Sequence, residues 1–123
     1  MSLPDEDLQY LQEKKYNYQL YPHGKETLVV IRQYSLPMGY SLSNVDLLVK
    51  IPPMYPMSPM DMFWVSPEIK LIGTNAYPDR ADIFEPFVES KWQRFSRHYA
   101  WRSGIDSLGS HLVTVQKSLA IMA

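Results

Sequence analysis

The spacing of apolar and polar positions changes period along the chain. Leu8 and Leu11 lie three apart behind Asp5, Glu6 and Asp7, and Lys14 and Lys15 close the stretch. This predicts a short helix. Pro4 fits its first position, the acids sit at the positive end of the dipole, and the acidic face is solvated. Tyr16, Tyr18 and Leu20 then alternate with Asn17 and Gln19, the period of a half-buried strand. Pro22-His23-Gly24-Lys25 predicts a hairpin turn, and the β-branched run Thr27–Ile31 the return strand. Val45–Ile51 predicts a third strand and Met60–Val65 a fourth, ended by Pro67. Sequential strands with short connections usually pair, so a four-strand antiparallel meander is expected.

Residues 72–104 show little clean period and many large side chains, which predicts an irregular segment that folds over the sheet or forms a site. Ile105, Leu108, Leu112, Val115 and Leu119 then follow helical spacing, predicting a helix over 105–121 with Ser103 as its cap. Gly109 weakens this helix or lets a neighbour approach closely. Without a repeat or linker, the order reads as a single α+β domain over residues 1–123.

Composition narrows the function. Hydrophobic residues make up 46% and charged residues 20%, which excludes a disordered chain. No apolar run approaches the ~20 residues that span a bilayer. The acidic start MSLPDEDLQ has no apolar signal core, so a cytoplasmic protein without a membrane partner is expected. The net charge of −1 argues against nucleic acid as a partner. Cysteine is absent, which removes thiolate nucleophiles, thioesters and thiolate metal sites together. His23, His98 and His111 share no zinc spacing, and no GxGxxG, P-loop or HExxH occurs, so neither cofactor nor metal is expected. Asp79, Asp82, Glu85 and Glu89 read as a solvated acidic surface.

The most informative stretch is Ile51-Pro52-Pro53-Met54-Tyr55-Pro56-Met57-Ser58-Pro59, a proline-rich connection between two strands. It resembles the tyrosine-proline turn of ubiquitin-conjugating enzymes, and Trp101-Arg102-Ser103-Gly104-Ile105 resembles the tryptophan-led start of their later helix. With Leu36-Pro37-Met38-Gly39, Asp61–Val65, Trp92–His98 and Asp106, the likeness is to the bacterial ubiquitin-conjugating-enzyme-like family E and spans residues 36–106. The resemblance implies an N-terminal helix, a four-strand meander, an irregular active-site-like segment and a C-terminal helix. It also implies a genomic setting with a ubiquitin-like protein, an activating-type enzyme and a JAB-type metalloprotease. A conjugating enzyme carries its cargo on a cysteine. Counting back from Trp101 puts that position near Trp92–Ser96, where this chain has no cysteine. The branch never used cysteine, or the cysteine of an active enzyme has been replaced, or the chain is a binding partner.

Two kinds of chemistry are open. Ser96 and His98, with Asp106, are candidates for nucleophile, base and orienting carboxylate in acyl or isopeptide chemistry. Trp92, Arg94, Phe95, Arg97 and Tyr99, with Tyr55, are candidates for a protein-binding surface, because arginines among aromatics supply contact area and planar donors. Of the rings, Trp101 is expected in the core. His98 is expected to tie the segment to backbone carbonyls. Met54, Met57, Met60 and Met62 are expected to divide between core and an exposed apolar patch. Binding a ubiquitin-like protein or an activating-type enzyme without a thioester is the first reading. Oligomeric state is open.

Overall fold

The computed structural model describes residues 3–98 and 100–122. Helix α1 (Asp5–Glu13) is followed by strands β1 (Asn17–His23), β2 (Glu26–Ser35), β3 (Asn44–Ile51), β4 (Phe63–Ser66), β5 (Ile83–Phe87) and β6 (Ser90–Phe95), then helix α2 (Leu108–Met122). The class is α+β, with a helix at either end of an antiparallel sheet. That sheet has six strands, not four, in the order β1-β2-β3-β4-β6-β5. The expected meander is its first part. The segment expected to be irregular contains a hairpin, whose second strand inserts beside β4 through the pairs Phe63–Phe95, Trp64–Arg94 and Val65–Gln93. The turn joining its strands is Val88-Glu89, both at positive φ (46° and 57°). Such turns normally announce themselves with Asn-Gly or Asp-Gly, and here that signal is missing.

Pro22 and His23 lie in β1 and not in a turn, and Gly24-Lys25 alone separates the paired His23 and Glu26. Pro22 is tolerated because β1 is an edge strand. Leu28, Val29, Val30 and Ile31 are all buried, so β2 is covered on both faces. Val29 and Ile31 join the larger core with Leu47, Val49, Phe63 and Phe95, beneath the helices. Leu28, Val30, Leu48, Trp64, Phe87 and Trp92 form a second core on the opposite face. Among the described residues no helix side chain joins that second core. The sheet curls over it: His23 on one edge strand and Phe87 on the other have ring centroids 5.4 Å apart.

Leu108, Leu112, Val115 and Leu119 are buried as the helical spacing predicts, and burying each contributes about 1.5–3 kcal/mol. Ile105 lies outside α2 and is exposed. The N-cap is Ser107, not Ser103. The Ser107 N–H donates to Ser110 Oγ at 2.9 Å and the Ser110 N–H to Ser107 Oγ at 3.5 Å, a reciprocal cap. Gly109 admits α1, since a Cβ there would stand 3.0 Å from the Tyr10 ring. The first helix is less solvated than its acids suggest, because Asp7 is buried.

Candidate functional site

The span where the resemblance would put a cysteine, Trp92–Ser96, is for the most part strand β6, flanked by strands on both sides. Trp92 and Phe95 are core residues, which removes them from any contact surface. The Trp92 indole donates to the Phe87 carbonyl at 2.8 Å, and Phe95 stacks on Phe63 with centroids 4.6 Å apart. Gln93 is buried and satisfied at both ends of its amide. It accepts from the Ile69 N–H at 2.8 Å and donates to the Ile69 and Ala81 carbonyls at 3.1 and 2.8 Å. It clasps the loops that lead into β5.

Arg97 is half-buried at a cleft. Its guanidinium donates to Ser118 Oγ on α2 (3.2 Å) and to the carbonyls of Ser96 (2.7 Å) and Asp79 (2.8 Å). A side chain that joins three segments in this way is a structural tie. Tyr99 lies outside the described residues. Trp101 is half-buried at the edge of the larger core, which meets the expectation in part, and its indole donates to the Pro56 carbonyl at 2.9 Å.

Beyond β6 the chain runs beside the residues preceding β4, with the Met62 N–H donating to the Arg97 carbonyl at 2.9 Å. This brings His98 to Asp61. His98 Nδ1 is 3.0 Å from Asp61 Oδ2, with the imidazole 65% and the carboxylate 43% exposed. Where Nδ1 donates to Asp61, Nε2 is the ring nitrogen left to accept. Asp106, the expected partner, is used elsewhere. It accepts from the Arg102 N–H at 2.7 Å and from Ser110 Oγ at 3.1 Å, contacts that hold its carboxyl below the usual range. Ser96 and His98 line one cleft of about 340 Å³. No hydrogen bond joins them among the described residues. The histidine tied to a backbone carbonyl is His111, whose Nε2 lies 3.1 Å from the Met62 carbonyl, and burial pushes its pKa down to about 4.

The proline-rich loop packs against this region. The Tyr55 hydroxyl donates to Asp7 at 2.6 Å and accepts the Leu108 N–H at 2.8 Å, so its polar end is committed internally and is not offered to a ligand. Pro56 and Ile105 line one cleft. Around it Met54, Met57 and Ile105 are 60%, 68% and 67% exposed, while Met60 is buried, so the methionines divide as expected. Arg94 is half-buried at a separate cavity with Lys50 and Glu85.

Sequence reasoning missed Asp61 and Lys50. Each falls in or beside a strand, and their partners lie far along the chain. Among the described residues no three His, Asp or Glu side chains converge as a metal cradle, and no helix is long and apolar enough to cross a membrane.

The family model described as prokaryotic E2 family E matches residues 3–122. No curated protein and no solved structure matches the chain.

Proposed function

The chain belongs to prokaryotic E2 family E, and on that premise we propose a conjugating-enzyme-like protein that acts without a thioester, by binding a ubiquitin-like protein, an activating-type enzyme, or both. The observation that carries this is a contrast. The chain has no thiol nucleophile and Trp92, Gln93 and Phe95 are buried in the sheet, while Met54, Met57 and Ile105 stand exposed around the loop from Tyr55 to Pro56. Flexible methionines beside a fixed proline turn make a surface that adapts to a partner's apolar patch. A cytoplasmic location and one unit over residues 1–123 are part of the same reading. The test combines the chain with an activating-type enzyme, ATP and a ubiquitin-like protein of the kind the resemblance implies. A complex that survives gel filtration but leaves no covalent adduct supports the proposal. A reductant-sensitive bond to this chain contradicts it, since thiol exchange needs sulfur.

A second reading is favoured by the Asp61–His98 pair, in which the carboxylate would orient the imidazole so that Nε2 can accept a proton in acyl or isopeptide chemistry with Ser96 as the nucleophile. Hydrolysis of an isopeptide-linked ubiquitin-like substrate, lost in both His98→Gln and Ser96→Ala with binding retained, would move the conclusion to an enzyme. Absence of hydrolysis by the unaltered chain removes this reading.

A further inference from the structure

One end of the curled sheet opens into a cavity of about 260 Å³ beside the second core. Arg94 on β6 and Lys50 on β3 both line it. Their cationic groups are poorly matched inside the protein. The Trp64 indole donates to Glu85 Oε1 at 2.8 Å, and that same oxygen lies 3.7 Å from the nearest Arg94 nitrogen, beyond hydrogen-bond reach. The Arg94 side chain is only 27% exposed, and its Nε is buried with no acceptor. Among the described residues no hydrogen bond from the guanidinium is found. Lys50 rests its ammonium on the faces of Trp64 and Phe87, 4.8 and 4.5 Å from the ring centroids. Two cations thus border one hollow, and the guanidinium, a planar donor fork, has only a loose ion pair with Glu85, whose oxygen it shares with the Trp64 indole. A half-buried charged donor whose N–H groups lack hydrogen bonds is costly, and a planar anion would relieve that cost.

The other walls restrict which anion. Glu26, Asp61 and Glu85 also line the cavity, so the local charge does not favour a dianion. A monoanion with N–H groups beside it fits better: the charge goes to the cations and the N–H groups to the acids. We propose that this cavity binds the C-terminal carboxylate of a peptide chain, with Arg94 and Lys50 taking the carboxylate and Glu26 and Asp61 accepting from the preceding backbone amides. Pro52 and Pro59 supply the apolar wall for the terminal side chains. The proposal stands on this cavity alone and does not need the partner surface around Met57.

The test follows the arginine Nε–Hε resonances of the ¹⁵N-labelled protein. The probes are acetyl-trialanine with a free carboxylate, the same peptide as its C-terminal amide, and inorganic phosphate. The free acid should give a saturable shift of the Arg94 signal with Kd on the order of 1 mM, a scale suited to one charged contact. The amide should bind at least about 10-fold more weakly, and phosphate more weakly than the free acid. Lys50→Met keeps the stem that packs on Trp64 and Phe87, and should weaken the free acid by about 10-fold while the remaining amide spectrum stays folded. Equal binding of acid and amide, tighter binding of phosphate, or no shift at about 10 mM peptide would each overturn the proposal.

Discussion

The Tyr55 hydroxyl donates to the buried Asp7 carboxylate at 2.6 Å while accepting the first N–H of α2, from Leu108, at 2.8 Å. One oxygen from the proline-rich loop therefore joins the two helices that sit over the sheet. Tyr55→Phe removes both bonds and leaves Asp7 without its donor, at a cost of about 1–3 kcal/mol. Chemical denaturation of the variant should show it as a lower midpoint with unchanged slope.

The same carboxylate sets a pH dependence. Burial raises the Asp7 pKa, and the Tyr55 bond offsets part of that rise. A raised folded-state pKa means that the folded protein holds the proton to higher pH than the unfolded chain. The contribution is therefore fully present below the unfolded value and lost as pH rises through the folded one. The stability of the unaltered chain minus that of Asp7→Asn should fall as pH rises from the acidic side towards neutrality, measured by denaturant titration across that range.

His111 works in the opposite sense. Desolvation takes its pKa from 6.5 to about 4, so the folded protein keeps the imidazole neutral where the unfolded chain would protonate it. Its contribution is intact above the unfolded value and declines as pH falls through 6.5 towards 4, by up to ~3 kcal/mol. Acid destabilisation in that window should flatten in His111→Gln, measured by the same titration.

Arg97→Ala should destabilise the fold by about 2–3 kcal/mol, because it releases the ties to Ser118, Ser96 and Asp79 together. Its melting temperature should drop by several degrees, whereas a surface contact residue would leave it unchanged.

The part of the fold that was legible in the sequence is the part built from local pattern. The β-branched run of β2 and the stripe from Leu108 to Leu119 each declare their element through period alone. The β5–β6 hairpin was hidden for two reasons. Its turn puts Val88 and Glu89 where glycine or asparagine is the usual signal, and β6 pairs with a strand that is not its neighbour in sequence. The start of α2 was displaced because Ser103 and Ser107 are equally good caps by residue type, and only the bonds to Ser110 distinguish them. Ser96 and His98 stood out by residue type, but Asp61 lies 37 positions from its histidine, and residue type alone pointed to Asp106. Arg97 carries the composition of a contact residue, and only the carbonyls around it reveal a tie.

The central claim is that the loop around Tyr55 and Pro56, and not the buried rings Trp92 and Phe95, makes the main contact with the protein partner. Titration calorimetry of the unaltered chain, Met57→Asp and Ile105→Asp against the proposed partners, a ubiquitin-like protein and an activating-type enzyme, tests it directly. Binding to at least one of the two proteins should weaken by at least about 10-fold in each variant, as a charge placed in an apolar contact would cause, with melting temperatures unchanged. Affinities equal to those of the unaltered chain in both variants would contradict it.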